Sequence, residues 1–546
     1  MKNRIVCLVM CVAMLCTLIT PIAMAEEPVT ITWLHQSWDV PELDHWYDAL
    51  WVKELEARLN VKFEFITVNA TDNYDNVINL NISGGDWPDL ISWNWSNYSG
   101  GIEAAIEDGL VEAFTLDELK EKAPNYYNLI AGNEYINRAM TLTDGTVATF
   151  CHVEESTKRN AYSGYAIRKD WLDRLGLEVP TNMAELHDVL VAFKEQDANG
   201  NGDPSDELPM SDRSSLNLMR ELSAAWGLVY NAPQLDPVTG EVTYWTEVND
   251  GQNFRDFVMT MRQWYAEGLI DPQFTSNTQT EINSYVTSDK QGFYHTNTNR
   301  YPGYYTLLHD TVASYADPDG VVLLPLTRFG YEYTAEGQEA KHYTTAMNTL
   351  NWVASQEGNV ITSAARKAGK VDKILEVINY MYSEEGTTLI SWGVEGVSFK
   401  YDENHNKVWL DTVLNTSDGS LSSNAVMKYC IPTRGEFPKI MDLKAWMTVD
   451  ASHPDGQTAL DYNFGADKDL LIPNIQLAGE DADTYSRIIN DVNTAIAETF
   501  LSVIIGNKPE SAIDDLYKTI DSMGIAQAID IYAKVYANYL NKEILK

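Results

Sequence analysis

Three short apolar runs decide the fold of the amino-terminal part: VTITWL at 29–34, VKFEFI at 61–66 and PDLISW at 88–93. Each run has the length and the β-branched and aromatic content of a strand. Between them, residues 47–59 and 74–82 carry apolar side chains at helical spacing. Strands that alternate with helices form a parallel sheet whose faces the helices cover. The stretch therefore predicts an α/β domain.

The residues that follow these strands are candidates for a binding site, because ligands of such sheets lie beyond the carboxyl ends of the strands. The first strand is followed by HQSW at 35–38, and the third by Asn94 and Trp95. Aromatic rings next to amide and imidazole groups suit a ligand that has both apolar faces and polar edges. We therefore expect a ligand at this edge of the sheet.

A candidate cation loop lies at 197–209, where the sequence is DANGNGDPSDELP. Oxygen-bearing side chains alternate and a glycine stands sixth, as in an EF-hand loop. The EF-hand pattern asks for Glu at the twelfth position, but Leu208 stands there and the acids come earlier. The alternative is a solvated Asn-Gly turn without metal. The expected ligands of a structural Ca²⁺ are Asp197, Asn199, Asn201, Asp203, Asp206 and Glu207.

The amino terminus predicts export from the cytoplasm. Lys2 and Arg4 precede an apolar run at 5–19, and Ala23-Met24-Ala25 offers a cleavage point, so residues 1–25 are interpreted as a secretory signal peptide. The alternative is an uncleaved anchor, because the run approaches membrane-spanning length. No Cys follows a Leu-Ala-Gly-like stretch, so no clear lipid-attachment site is found. We expect the protein at the exterior of the cell envelope, either extracellular or periplasmic.

Charge limits the partners. The chain has 39 basic and 79 acidic residues, and removal of residues 1–25 takes the net charge from −40 to −42. Such a surface argues against nucleic acid and anionic lipid and suits a neutral or cationic small molecule.

Only Cys151 and Cys430 lie beyond the signal peptide. We expect two free buried thiols, with a disulfide as the alternative.

Catalytic motifs are missing. The chain contains no GxSxG, HExxH, GxxxxGK[ST] or complete GxGxxG pattern. Abundant carboxylates allow many glycosidase-like pairs to be named, but spacing alone does not select one. The sequence therefore predicts a binding protein and not an enzyme.

Five segments together resemble a known family. They are GGDWPDL at 84–90, AIRKDWLDRLGLEVPT at 166–181, the loop at 197–209, WYAEGLIDP at 264–272 and GVEGV at 393–397. In this order they are similar to elements of family 1 extracellular solute-binding proteins, in the branch of lipoprotein and alginate-binding proteins. The resemblance covers most of the mature chain.

The resemblance implies a type II periplasmic-binding-protein-like α/β fold of two lobes. Each lobe has a mixed sheet covered by helices, and the carboxy-terminal region is helical. The amino-terminal lobe would comprise 26–150 plus 285–350, and the carboxy-terminal lobe 151–284 plus 351–546. Crossovers would lie near residues 150, 284 and 350. A monomer would capture an oligosaccharide in the cleft and deliver it to the membrane permease subunits of an ABC importer.

Sugars present apolar C–H faces and polar rims, which aromatic rings and amide, carboxylate or imidazole groups match. The alternative for any single Trp is core packing. We expect a neutral or weakly charged sugar because of the acidic surface. Two other functions stay open: a receptor for peptides or another polar solute, and a secreted glycan-degrading enzyme. The candidate ligand-binding residues are Trp38, Trp93, Asn94, Trp95, Trp226, Tyr294, His295 and Trp392.

Overall fold

The structure is a computed structural model of the chain. It describes residues 27–40, 43–69, 74–85, 87–154, 158, 161–214, 216–326, 331–333, 341–343, 357–414, 423–464, 470–473, 475, 477 and 479–541. The predicted signal peptide lies outside the described residues.

Strands supply the frame of the molecule. They are β1 (Val29–Ser37), β2 (Val61–Asn69), β3 (Leu90–Asn94), β4 (Thr149–Phe150), β5 (His152–Val153), β6 (Ser163–Arg168), β7 (Leu208–Met210), β8 (Pro233–Leu235), β9 (Val242–Tyr244), β10 (Gln291–Asn297), β11 (Leu323–Leu326), β12 (Tyr331–Tyr333), β13 (Lys341–Tyr343), β14 (Glu357–Ile361), β15 (Phe399–Tyr401), β16 (Lys407–Trp409) and β17 (Lys439–Ile440).

Helices cover the sheets. They are α1 (Leu50–Leu59), α2 (Tyr74–Gly84), α3 (Gly101–Glu107), α4 (Leu116–Lys122), α5 (Pro124–Gly132), α6 (Glu134–Met140), α7 (Lys169–Leu175), α8 (Met183–Glu195), α9 (Asn217–Leu222), α10 (Gln252–Ala266), α11 (Gln279–Thr287), α12 (Tyr301–Val312), α13 (Ser363–Lys367), α14 (Val371–Met381), α15 (Glu384–Trp392), α16 (Asp411–Leu414), α17 (Ser423–Val426), α18 (Leu443–Asp450), α19 (Pro454–Phe464), α20 (Gly479–Ile504), α21 (Ala512–Met523) and α22 (Ile525–Asn541).

Two mixed sheets define two lobes. The first sheet has the order β2-β1-β3-β14-β4, with β1 parallel to β2 and β3 and with β14 antiparallel to β3 and β4. The second has the order β11-β6-β10-β7, with β6 antiparallel to β10 and β11 and with β10 parallel to β7. The predicted α/β class is confirmed, and so is the parallel arrangement of the first three strands.

The first sheet is buried on both faces. Trp33 of β1 belongs to one core, together with Trp51 and Leu55 of α1, while the neighbouring Leu34 belongs to a second core with Ile91 of β3. Successive side chains of a strand point to opposite faces, so a strand covered on both sides needs a continuous apolar run. The runs at 29–34 and 88–93 therefore correspond to central strands of this sheet, whereas β2 is an outer strand whose Lys62 and Glu64 are exposed.

The carboxy-terminal helices belong to the second lobe. Val492, Ile496 and Phe500 of α20 share a core with Phe254 and Phe257 of α10. The rings of Phe257 and Phe500 stack with centroids 5.7 Å apart. Spacings of three and four residues place these α20 side chains on one face of the helix. The predicted helical tail is thus an integral part of this lobe's core.

Strand pairing differs from the lobe boundaries that the resemblance implies. The predicted amino-terminal lobe includes 285–350, yet β10 and β11 both pair with β6 in the second sheet. The predicted carboxy-terminal lobe includes β14, yet β14 pairs with β3 in the first sheet. These pairings join segments far apart in the chain. Local residue patterns do not specify such partners, because cross-strand packing across the whole sheet selects them.

The chain passes between the sheets in three places. It leaves the first sheet after β4 and β5 and enters β6, and it returns between β11 and β14. It crosses again between β17, which pairs with β5, and α19, whose Ala459 packs in the core with Tyr294. The crossover expected near residue 284 is absent from the described residues there, since α11 leads directly into β10.

The sequence predicts Asn182 as the cap of the helix that follows it and Asn253 as the cap of a helix over 254–266. Asn182 caps α8 by accepting a hydrogen bond from the backbone N–H of Glu185 at 3.0 Å, as predicted. Asn253 does not cap α10, because the helix begins at Gln252 and Gly251 precedes it with φ 79°. Cys151 and Cys430 are both free and buried. Within the described part of the chain, no helix is long and apolar enough to cross a bilayer.

Candidate ligand-binding site

Each sheet has one edge, formed by the ends of its strands and not by an outer strand, that flanks the crossovers. At the first edge, β1 and β3 end and β14 begins, and Gly358 lies opposite Trp93 in the β14–β3 ladder. At the second edge, the chain enters β6 at Ser163 and leaves β11 at Leu326. Because the same crossovers join both edges, the two edges lie beside the passage between the lobes. This is where ligands of open α/β sheets bind.

A cavity of about 320 Å³ lies at the first edge. Its lining is mostly polar, with one indole ring and one phenol, and includes residues from the ends of β1 and β3. The lining residues are His35, Gln36, Tyr74, Asp75, Ser92, Trp93, Asn94, Asn97, Gly358 and Glu436.

Asp75 organises one wall of this cavity. Its Oδ1 accepts hydrogen bonds from Nε1 of Trp93 at 2.7 Å and from Nδ2 of Asn97 at 3.0 Å. The hydroxyl of Tyr74 donates to the backbone carbonyl of Ser92 at 2.6 Å. These bonds hold the Trp93 ring and the start of α2 in fixed positions. The wall therefore presents a preformed aromatic and amide surface.

His35 forms the floor. It is fully buried, and its ring stacks on Phe437 with centroids 4.3 Å apart. Nδ1 lies 2.9 Å from the carbonyl oxygen of Gln36, which only accepts, so Nδ1 carries the proton. Nε2 is buried with no hydrogen-bond partner. Burial lowers the pKa of His35 to about 4, so the ring is neutral at pH 7.

The charged pair of Arg434 and Glu436 lies at the same cavity, which Glu436 lines. The guanidinium carbon of Arg434 lies 4.2 Å from the ring centroid of Trp38, whose ring stacks on Trp46 at 4.3 Å. Nη1 of Arg434 lies 3.4 Å from Oε1 of Glu436. Burial raises the pKa of Glu436, but Arg434, together with His35, Lys439 and a backbone hydrogen bond, outweighs that effect and holds the pKa below the usual value. Glu436 is therefore ionised at neutral pH.

Asn359 of β14 ties these parts together. Its Nδ2 donates to the carbonyl oxygens of Phe150 and Glu436, both at 3.0 Å. Its Oδ1 accepts from Nε1 of Trp33 at 3.2 Å and from the hydroxyl of Ser92. The side chain is fully buried. One amide thus connects β1, β3, β4 and the 434–437 segment.

The second edge carries a smaller polar group. Nε2 of His295 lies 3.0 Å from Oε1 of Glu221, and the hydroxyl of Ser163 donates to the same oxygen at 3.3 Å. The other oxygen, Oε2 of Glu221, is buried with no hydrogen-bond partner. Both lobes therefore present buried polar groups at the edges beside the crossovers.

The chain has relatives among the substrate-binding proteins of ABC transporters. It is 25% identical over 520 residues to the fructooligosaccharide ABC transporter substrate-binding protein FusA of Streptococcus pneumoniae, a match that covers 90% of this chain and 87% of FusA. It is 23% identical over 366 residues to the polygalacturonan/rhamnogalacturonan-binding protein YtcQ of Bacillus subtilis, with 64% of each chain covered. No protein-family model matches the chain.

Solved structures share the fold. The alginate-binding protein AlgQ2 without calcium ion superposes with a TM-score of 0.69 at 22% identity, over 94% of this chain and 98% of AlgQ2. An EF-hand mutant of Streptococcus pneumoniae FusA in complex with fructo-nystose gives a TM-score of 0.69 at 22% identity, over 94% of this chain and all of FusA. The chain therefore shares its fold with these proteins.

The structure separates the predicted site residues into two groups. Trp93 and Asn94 line the cavity at the first edge. Trp38 is half-buried beside that cavity, in contact with His35 and Arg434. His295 is half-buried at the second edge.

Four other predicted site residues are core residues: Trp95, Trp226, Tyr294 and Trp392, each at most 2% exposed. Their rings pack against protein on both faces, so none offers a platform for a sugar. They stand at element ends or beside Gly in the sequence, which is where exposed and buried aromatic residues look alike. These four assignments are corrected by burial.

Sequence reasoning missed the 434–437 segment. Arg434 and Glu436 belong to no helix or strand and match no motif. They reach the site because the segment is bound to β14 through Asn359 and follows Ile431, whose N–H donates to the carbonyl of Ile390 at 2.8 Å. A contact of this kind depends on the fold of the whole lobe, so no local sequence pattern predicts that Arg434 and Glu436 lie at the site.

The predicted cation loop is closed by its own side chains. Oδ2 of Asp197 accepts from the N–H of Gly202 at 3.0 Å, and Oδ1 of Asn199 accepts from the N–H of Asn201 at 2.9 Å. Oδ1 of Asn201 accepts from the N–H of Asp203 at 2.7 Å. The alternating oxygen-bearing residues thus turn the backbone tightly on itself, as both alternatives for this loop require.

Two carboxylate oxygens in the loop suit a hard cation. Oδ1 of Asp197 and Oε2 of Glu207 are buried with no hydrogen-bond partner. Oε1 of Glu207 accepts from the N–H of Ala198 at 2.8 Å, which brings the carboxylate close to the start of the loop. Burial raises the pKa of Glu207. Buried anionic oxygens without donors are costly unless a cation joins them.

The loop acids do not all converge. Asp206 lies 3.8 Å from Nζ of Lys290, and Asp203 accepts from the hydroxyl of Ser205 at 2.6 Å. Across the described residues, no three Asp, Glu, His or Cys side chains gather as a metal cluster. A cation in this loop would therefore depend on amide and backbone oxygens in addition to Asp197 and Glu207.

His35 gives the site a pH signature. Its folded-state pKa of about 4 lies below the unfolded value of 6.5, so the unfolded chain binds more protons between these values. Its contribution to stability is present above pH 6.5 and is lost as pH falls toward 4. We expect the free energy of unfolding to fall by about 2 kcal/mol between pH 7.5 and pH 5 through this group.

The measurement is denaturant unfolding of the wild type and His35→Gln at both pH values. The variant should lose that part of the pH dependence, whereas the control His309→Gln, at an exposed side chain, should follow the wild type. Equal pH dependence in all three proteins would show that His35 is not buried as a neutral ring.

Proposed function

We propose that this chain is an extracellular solute-binding protein that captures an oligosaccharide between its lobes and delivers it to an ABC importer. The observation that carries the proposal is the pair of polar and aromatic edges beside the crossovers of a two-lobed fold. One edge has the cavity around His35, Trp93 and Glu436. The other has His295 and Glu221. Relatives named for oligosaccharide or polysaccharide binding support this ligand class.

The chemistry of the first edge suits a sugar. Half-buried Trp38 offers indole surface for C–H faces, while Gln36, Asn94 and Asn97 offer amides for hydroxyl groups. Two lobes joined by crossovers of this kind can close over such a ligand by hinge bending. A binding protein needs this geometry and no catalytic group.

The competing functions differ in what they require. A glycan-degrading enzyme needs a proton donor and a nucleophile or base on opposite sides of one glycosidic bond. The pKa of Glu436 is lowered beside Arg434, so Glu436 is not placed as a protonated acid, and Asp75 is occupied by hydrogen bonds from Trp93 and Asn97. A peptide receptor would use main-chain groups at a free strand edge. The mixed aromatic and amide lining favours a sugar over both.

The first test is binding without turnover. Calorimetry of the mature protein against neutral oligosaccharides, beginning with fructo-nystose, should give one site per chain, and chromatography should show the sugar intact. Trp38→Ala should weaken binding by about 2 kcal/mol, ~30-fold, as for an aromatic hot spot. The control Tyr401→Ala, at an exposed ring on β15, should bind as the wild type does. Release of shorter sugars would favour the enzyme, and full affinity in Trp38→Ala would place the ligand elsewhere.

We propose that the 197–207 loop holds a structural Ca²⁺. Asp197, Asn199, Asn201 and Glu207 are the side chains best placed to bind it, with Asp203 and Asp206 contributing once their present partners release them. The cation would neutralise the two buried carboxylate oxygens. The loop is joined to the second sheet by the N–H of Leu208, which donates to the carbonyl of Lys290 at 2.7 Å. A bound cation would therefore stabilise this lobe.

Removal of the cation should lower the melting temperature. A ligand that binds only the folded state at a hundredfold excess over its Kd contributes about 2.7 kcal/mol, so we expect a chelator to lower Tm by a few degrees. Glu207 has a raised pKa, so its ionised form costs stability at neutral pH when no cation is bound. Glu207→Gln should therefore melt no lower than the wild type in chelator and gain little from Ca²⁺.

The matched control is Glu403→Gln, which removes an exposed carboxylate far from the loop and should keep the full response to Ca²⁺. Identical melting of the wild type with Ca²⁺ and with chelator would contradict a structural cation. The same result would leave the sugar site untouched, because the loop shares no residue with it.

We further propose that residues 1–25 direct export and that the mature monomer works outside the cytoplasmic membrane with the permease subunits of its importer. The basic start, apolar run and Ala23-Met24-Ala25 of the sequence support export. A tether to the surface would need a lipid-attachment Cys, which the sequence does not clearly offer.

A further inference from the structure

Four buried polar atoms at the first edge have no hydrogen-bond partner. They are Nε2 of His35, Nε1 of Trp38, Nε of Arg434 and Oε2 of Glu436. Buried polar groups in folded proteins are almost always paired, so a cluster of four indicates groups that a ligand or water completes. His35 and Glu436 also line the cavity at this edge.

The four residues form one contact group. The rings of His35 and Trp38 have centroids 5.7 Å apart. The guanidinium of Arg434 lies over Trp38 at 4.2 Å and pairs with Glu436 at 3.4 Å. His35 and Glu436, which line the cavity, are thus in contact with Trp38 and Arg434 respectively, which lie behind its lining.

Their hydrogen-bonding character is fixed. Nε2 of neutral His35 accepts, because Nδ1 carries the proton, and Oε2 of ionised Glu436 accepts. Nε1 of Trp38 and Nε of Arg434 can only donate. The cluster thus offers two acceptors and two donors. A hydroxyl group both donates and accepts, so two adjacent hydroxyl groups satisfy all four atoms.

We infer that His35, Trp38, Arg434 and Glu436 determine specificity by binding a pair of adjacent sugar hydroxyl groups and rejecting sugars that carry a carboxylate there. This inference rests on the proposed function and assigns its site a neutral sugar. A carboxylate only accepts, so it would leave His35 and Glu436 unpaired. An ammonium group only donates, so it would leave Trp38 and Arg434 unpaired.

Charge acts in the same direction. The positive charge of Arg434 is already paired with Glu436, and Asp75 adds a second carboxylate to the cavity lining. A uronate in the cavity would meet a net negative wall on a protein whose overall charge is also strongly negative. Like charges at short range oppose binding most strongly where water is excluded. A neutral diol meets no such penalty.

The test is calorimetry with two probe sets, one of neutral oligosaccharides (fructo-nystose, stachyose and maltotetraose) and one of acidic ones (tetragalacturonate and an alginate tetramer). We expect the best neutral probe to bind at least 100-fold more tightly than either acidic probe. Glu436→Gln, which replaces one acceptor oxygen by a donor, should weaken the neutral probe about tenfold or more.

Arg434→Lys provides a second variant that keeps the charge but lacks Nε and the planar stacking group. It should also weaken the neutral probe about tenfold, while Glu403→Gln serves as the distant control and should bind normally. Each variant is first shown to melt cooperatively, and its binding is then measured at a temperature well below its melting transition.

The outcomes separate this inference from the proposed function. Tighter binding of an acidic probe would overturn the inference and leave sugar capture standing. Wild-type affinity in both Glu436→Gln and Arg434→Lys would show that water, and not the ligand, completes the four atoms, and would also overturn it. Failure of every probe to bind would contradict the proposed function, and the inference with it.

Discussion

One buried amide, Asn359, is the interaction on which the site depends. Its four hydrogen-bond partners come from β1, β3, β4 and the 434–437 segment. A buried amide has a fixed set of donors and acceptors, and an unpaired one costs free energy comparable to a lost hydrogen bond. The pairing therefore holds the two strand ends, the start of a crossover and the Arg434–Glu436 pair in one register.

This arrangement couples the hinge to the ligand. Phe150, whose carbonyl accepts from Asn359, lies directly before the first crossover, and β14 begins where the second crossover ends. The side chains expected to touch the ligand thus rest on residues that adjoin two of the crossovers, where the proposed closure would bend the chain. A ligand that completes His35 and Glu436 would order both the site and the ends of the hinge. Binding and closure are then parts of one event.

The sequence predicts local features well and distant ones poorly. The strands β1 and β3 follow from apolar runs because a strand covered on both faces is largely apolar, and the outer strand β2 follows from its alternation of apolar and charged residues. The cap at Asn182 follows from side-chain chemistry within one turn of helix. In contrast, Trp95 and Trp392 look like the half-buried Trp38 in the sequence, and only tertiary packing buries them. The 434–437 segment and the pairing of β14 with β3 depend on contacts across hundreds of residues, which no local pattern encodes.

The most direct measurement of the central claim is a crystal structure of the mature protein with a bound neutral oligosaccharide. We expect the sugar between the two edges, with adjacent hydroxyl groups within hydrogen-bond distance of Nε2 of His35 and Oε2 of Glu436, and with His295 or Glu221 on its other side. A sugar bound away from both edges, for example in the pocket beside Tyr230 and Trp245 on the helical layer of the second lobe, would contradict it.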